Sequence, residues 1–170
     1  MPIRFNTLPG HNRVVPEDCW LSTIPDIHCS ANSKTAIVLL ANRAMQKKPL
    51  CHNELAQKLG IASGNELAII LEEIGMVLDR IGAACSEKIP CLQLLVLDSA
   101  TGLPRCGTEK VLPPDCPLES LGTQHRSAIV EALHRYIFGY PYWKDLLVLL
   151  DITNTANACS TNNIKKEVTT

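Results

Sequence analysis

Between Ser63 and Glu87 the stretch SGNELAIILEEIGMVLDRIGAACSE places Leu67, Ile70, Leu71, Ile74, Leu78 and Ile81 at intervals of three and four. That spacing predicts an amphipathic helix of nearly five turns. Ser63 is read as its N-cap, with Glu66 three residues on completing a capping box. A helix with so continuous an apolar stripe must be covered along its whole length, so the rest of the chain has to supply a core around it.

The flanking segments have the pattern to do so. From Ser33, read as an N-cap, Ala36, Ile37, Leu39, Leu40, Ala44 and Met45 recur at helical spacing, and Lys47-Lys48 and Pro49 close the element. A short helix is expected from His52 to Leu59, ended by Gly60. Residues 89–98 (IPCLQLLVLD) form a short apolar run rich in branched side chains, read as a buried strand. Ser99 to Pro104 reads as a turn, and residues 105–118, with Pro113, Pro114 and Pro117, read as a loop. Helices are expected from Gln124 to Phe138 and from Trp143 to about Leu150. Residues 1–33 read as a Pro-rich arm and 151–170 as a polar flexible tail, leaving residues 34–150 as the domain. Two short helices joined by a tight turn and followed by a strand and turn have the order of a winged helix-turn-helix. The expected fold is mainly α with a small β-hairpin or wing (α+β), winged-helix-like.

The 170 residues fit one domain large enough to bury a core unaided. With 46% hydrophobic and 19% charged residues, the composition is that of a globular chain. No apolar run approaches the ~20 residues of a membrane span. The first thirty residues hold no signal-like apolar region, so a soluble cytoplasmic protein with no membrane contact is expected. Eight cysteines lack any CxxC spacing and are read as reduced, mostly buried apolar residues; no metal ligand set and no cofactor are expected. Phosphate-loop, zinc-hydrolase and serine-hydrolase signatures are missing. His125 and His134 fall on opposite faces of one helix and are read as surface histidines. Asp98 is read as a turn-starting residue that bonds its own backbone. No catalytic residue is therefore assigned.

Two stretches carry a resemblance. The first runs from Ala36 to Pro104 and includes Asn53 to Ala56, Ile89-Pro90, Leu95 to Leu97 and Thr101 to Pro104; the second is YIFGYPYWKDLLVLL, with Tyr140, Trp143 and Leu146-Leu147. Together they resemble the N-terminal, non-nuclease domain of bacterial proteins that end in an HNH-type nuclease domain. The match departs at Cys51 and His52, where that group carries a tyrosine. No HNH constellation follows Leu150, so nuclease chemistry is not carried over. More distantly, the helix-helix-strand order is similar to the winged-helix domain of alkylguanine-DNA alkyltransferases, and Ile89-Pro90-Cys91 echoes their acceptor cysteine. Leu92 and Gln93 stand where that family has His and Arg, so Cys91 lacks an activating base and is read as a core residue.

Charge separates the partner classes. Residues 34–60 hold Lys34, Arg43, Lys47, Lys48 and Lys58 against Glu54, whereas residues 61–88 hold Glu66, Glu72, Glu73, Asp79 and Glu87 against Arg80 and Lys88. The second stretch would be the recognition helix, and carboxylates on its outer side are repelled by phosphates. The reading is therefore a non-catalytic interaction module, a subunit or adaptor of a larger bacterial complex. The resemblance implies a nuclease, antiviral-defence or DNA-processing setting. Its contact surfaces are the acidic outer face of the long helix (Glu66, Glu72, Glu73), the loop 105–118 and the Pro-rich arm. Aromatic anchors come from Tyr140 and Trp143, because five of the seven aromatics fall between Tyr136 and Trp143. The alternative is weak DNA binding through a basic helix pair, with Lys47, Lys48, Lys58 and Arg105 on phosphates. A third class, an enzyme using Cys91, requires an activated thiol.

Overall fold

A computed structural model of the chain describes residues 29–150, except Ser63 and Cys116. Helix α1 is Ala31–Met45. Its N-cap is Ser30, whose hydroxyl accepts from the Ser33 N–H at 3.1 Å. Ser33, expected as the cap, instead lies inside the first turn with its side chain fully buried. Ala36, Ile37, Leu40, Ala41 and Ala44 make the buried stripe, and its three alanines let a neighbouring helix approach closely. Lys47 takes a left-handed backbone after the helix ends, with φ of 56°.

Strand β1 (Leu50–Cys51) leads directly into helix α2 (His52–Leu59), which buries Leu55 and Ala56 and ends at Gly60 in the left-handed conformation. Helix α3 (Asn65–Cys85) has every expected stripe residue buried, from Leu67 to Ile81. Its start differs from expectation. Gly64, at φ of 117°, is the N-cap and supplies no side-chain bond, so Glu66 has no capping box to close; the expected cap, Ser63, lies outside the described residues. At the other end Ser86 turns left-handed and the Glu87 N–H bonds back to the Gly82 carbonyl at 2.9 Å. A Cβ on Gly82 would meet the Glu87 carbonyl oxygen at 2.6 Å, so this reversal needs glycine there.

The apolar run after Pro90 is not a strand through most of its length. Leu92–Leu95 forms a 3-10 turn with all four side chains buried, and only Val96–Leu97, strand β2, is extended. A continuous apolar run suits any segment enclosed on all sides, strand or helical turn, and periodicity does not separate the two. β2 pairs in parallel with β1, Leu50 opposite Val96 and Cys51 opposite Leu97. In place of the expected hairpin wing there is one antiparallel bridge, Leu97 to Pro104. The 3-10 turn sits at the centre of this unit, packed against α1, α3 and the next long helix.

Short 3-10 turns at Thr108–Lys110 and Leu118–Ser120 punctuate the loop that follows. Helix α4 (Thr123–Phe138) begins one residue before its expected start. His134 on α4 is buried, not surface-facing: its Nε2 lies 2.9 Å from the Leu94 carbonyl oxygen and so ties α4 to the central turn. The described residues divide between two units, one ending at Pro141 and the second beginning at Tyr142. In the second, residues 143–150 are helical (α5), with Trp143, Leu146, Leu149 and Leu150 buried along one side. The expected arm, from residue 1 to 28, and the tail, 151–170, lie outside the described residues. The rest of the arm, to residue 33, is helix start. The described chain is thus mainly helical, five helices with a small two-stranded parallel sheet, and none of its helices is long and apolar enough to cross a membrane.

Candidate interaction surface

The buried stripe of α3 leaves an opposite face, and its composition is unusual. At 100° per residue, Ile69, Glu72, Met76 and Arg80 fall along that outer side. Ile69 is 65% exposed and Met76 50%. Together with Glu72, Glu73, Val77 and Arg80 they line a shallow concavity of about 280 Å³. Most helices on a solvated surface put charge or amide at such positions, so two large apolar side chains two turns apart form a coherent patch. The expectation for this face rests on its carboxylates alone and does not include Ile69 and Met76. The signal that would have found them is their seven-residue spacing on the polar arc.

The three carboxylates expected there have different fates. Glu66 and Glu72 are exposed. Glu73 is not free to meet a partner, because its carboxylate reaches the N-terminus of α1. It accepts from the Ser30 N–H (2.7 Å), the Ser30 hydroxyl (2.8 Å) and the Ser33 hydroxyl (2.5 Å). Burial alone would raise the Glu73 carboxyl. Hydrogen bonds from Ser33 and from the Ser30 amide and hydroxyl outweigh it and hold the group below its ordinary 4.5. A carboxylate on the first turn of a helix also meets the favourable end of its dipole. Of the two aromatic anchors, Tyr140 is half-buried, while Trp143 is only 1% exposed. A side chain so buried offers a partner nothing, and this overrides its assignment as an anchor.

The four candidate phosphate contacts also divide. Lys47 and Lys48 are exposed in the turn before β1. Lys58 stands 3.9 Å from Glu54, which also holds Arg43. Arg105 pairs with Asp98 at 2.7 Å. Asp98 starts the turn as expected: its Oδ1 accepts from the Ala100 and Thr101 N–H groups, both at 2.9 Å. The Thr101 amide, then Ala100 and Arg105, keep its carboxyl below the usual range against a small desolvation cost.

The thiols are less buried than expected. Cys51 is exposed, and Cys29, Cys85, Cys91 and Cys106 are half-buried, all free. Burial pushes the Cys91 thiol up to about 11, with Lys110 opposing and Glu109 and Asp79 adding to the rise. Its Sγ–H donates to Gln93 Oε1 at 2.9 Å. A thiol so raised is protonated at neutral pH and a poor nucleophile. Among the described residues no group of three or more His, Cys, Asp or Glu side chains is placed to hold a metal ion.

No protein-family model matches this sequence, and no significant match to it exists among curated proteins or solved structures.

Proposed function

We propose that the chain is a non-catalytic interaction module that docks a protein partner on the outer face of α3, working as a subunit or adaptor of a bacterial nuclease, defence or DNA-processing complex. The observation that carries this reading is the exposure of Ile69 and Met76 on either side of Glu72, with exposed Glu66 a turn before Ile69. Large side chains that can be fully desolvated at the centre of an interface supply most of its affinity, and a charged rim supplies orientation. The complementary surface is an apolar anchor with Lys or Arg opposite Glu66 and Glu72 and a carboxylate opposite Arg80, since like charge at the rim would be repelled. The winged-helix-like reading of the fold rests on the α2–turn–α3 order followed by β2 and the Asp98–Pro104 turn. The bacterial nuclease-linked setting rests on the resemblance of residues 35–150. The raised Cys91 thiol and the Asp98 carboxylate engaged in its own turn favour a non-catalytic role.

The test is an affinity pull-down from the native host, with and without nuclease, comparing three baits. These are the wild type, Ile69→Glu with Met76→Glu, and Lys47→Glu with Lys48→Glu. The expected result is a protein set that survives nuclease, falls at least tenfold with the α3 pair and is unchanged with the lysine pair. All four positions are exposed, so unchanged melting temperatures are expected to accompany these results. Capture that ignores the α3 substitutions refutes the reading. Capture that vanishes with nucleic acid and with the lysine pair makes Lys47 and Lys48 phosphate contacts, and a steep salt dependence would accompany it.

A further inference from the structure

A second concavity, of about 440 Å³, opens on a different side of α3, between its C-terminal half, the Ile89–Gln93 segment and α4. Leu78, Ile89, Leu94 and Ile137 form apolar walls. Its volume falls in the range of small-molecule sites, which pair apolar walls with a few placed polar groups. The polar groups here converge on Gly75. A Cβ at that position would collide with Gln93 Nε2 and would lie 3.0 Å from Lys110 Nζ, so the missing side chain is what admits both nitrogens.

Gln93 is the telling residue. It is only 2% exposed and lines the cleft. Its Oε1 is engaged by the Cys91 thiol, which leaves its Nε2 to face Gly75 and Lys110 Nζ. The nitrogen is not sealed from solvent, so a donor on a side chain this buried, in the wall of a cleft, is one that an entering acceptor can reach. The charge of the lining decides the kind of acceptor. Asp79 and Glu87 balance Lys88 and Lys110, and Lys110 already holds Asp79. An anion beside Gln93 would also face the Asp79 carboxylate, whereas a neutral oxygen would not be repelled.

We propose that this cleft binds an uncharged, largely apolar small molecule whose carbonyl-type oxygen accepts a hydrogen bond from Gln93 Nε2 beside Lys110. The apolar body lies along Leu78, Ile89 and Ile137, with Tyr136, 52% exposed, at the mouth.

Three probes of one shape test this on the full chain by amide NMR titration: 4-isopropylbenzamide, 4-isopropylbenzoate and isopropylbenzene. The benzamide is expected to give saturable shifts at Gly75, Leu94 and the Gln93 side-chain amide, and to bind at least tenfold tighter than the other two. Gln93→Leu is expected to bring the benzamide down to the hydrocarbon's affinity and leave the hydrocarbon unchanged. Tyr136→Ala, an exposed change that does not threaten folding, is expected to weaken benzamide and hydrocarbon by the same factor. Should Gln93→Leu fail to fold, the ranking of probes on the wild type still decides. Tightest binding of the benzoate, equal affinity for benzamide and hydrocarbon, or no saturable shift at the cleft would each overturn the proposal.

Discussion

Replacing Glu73 with alanine removes the acceptor of three hydrogen bonds at the start of α1, and its cost can be worked out donor by donor. The bonds from the Ser30 amide and hydroxyl are solvent-exposed and contribute about 0.5 kcal/mol each, at the low end for single hydrogen bonds. The Ser33 hydroxyl is the larger loss, because its side chain is fully buried and its bond is to a charged group, so about 2 kcal/mol attaches to it. The sum is about 3 kcal/mol, or roughly 10 °C in melting temperature for a domain of this size. Urea unfolding followed by circular dichroism at pH 7 should show the midpoint falling with its slope unchanged. Acid gives an independent check. The Glu73 carboxyl titrates below its ordinary 4.5, so in that window the folded chain binds fewer protons than the unfolded one. Its contribution is therefore present above 4.5 and is lost as pH falls through the folded value. The gap between wild type and Glu73→Gln should narrow as pH falls below 4.5. A loss under about 1 kcal/mol at pH 7, or a gap that widens in acid, would refute the assignment of Glu73 as the acceptor that anchors the start of α1.

Three further outcomes follow from other sites. His134→Leu should destabilise by about 2 kcal/mol in the same urea assay, because it strips the buried Leu94 carbonyl of its partner. Alkylation by iodoacetamide at pH 7.4, mapped by mass spectrometry, should label exposed Cys51 well before Cys91. A thiol raised from 9.0 to about 11 holds about a hundredfold less thiolate. Burial lowers His52 below its ordinary 6.5, Arg105 lowers it further and Asp98 opposes. NMR titration should therefore find His52 below 6.5 in the wild type and higher in Arg105→Ala. Because the folded value is the depressed one, the stability tied to neutral His52 is present above 6.5 and lost as pH falls below it.

The elements that sequence reasoning located well are those decided within one turn of chain. The α3 stripe needs only the 3.6-residue period, and Gly60 ends α2 because only glycine enters the left-handed region at little cost. The start of α4 was placed within one residue. Misplaced features depend on groups distant in sequence. Ser33 looked like a cap because its partner, Glu73, is forty residues away and arrives only when α3 packs. His134 looked solvated because nothing local reveals the Leu94 carbonyl. The strand expected over 89–98 shrank to two residues because burial on every side erases the alternation that distinguishes strand from turn. Gln93 carried a readable sign all the same, as the single polar residue within an apolar run. The exposed Ile69 and Met76 carried another, as apolar residues on the wrong arc of a helix.

The two-residue pairing of β1 with β2 has a consequence for how the chain reaches this state. Leu50 and Val96 are joined through α2, α3 and the 3-10 turn, so their parallel registry closes a large loop for very few backbone bonds. Loop closure of that span is entropically costly, and contacts of such separation are rewarded only after the intervening helices have consolidated. The pair should therefore form late, beyond the folding transition state, and substitutions at Leu50 or Val96 should speed unfolding far more than they slow folding. Those four residues are then the lock set last and opened first, so the kinetic lifetime of the native unit rests on the smallest element in it.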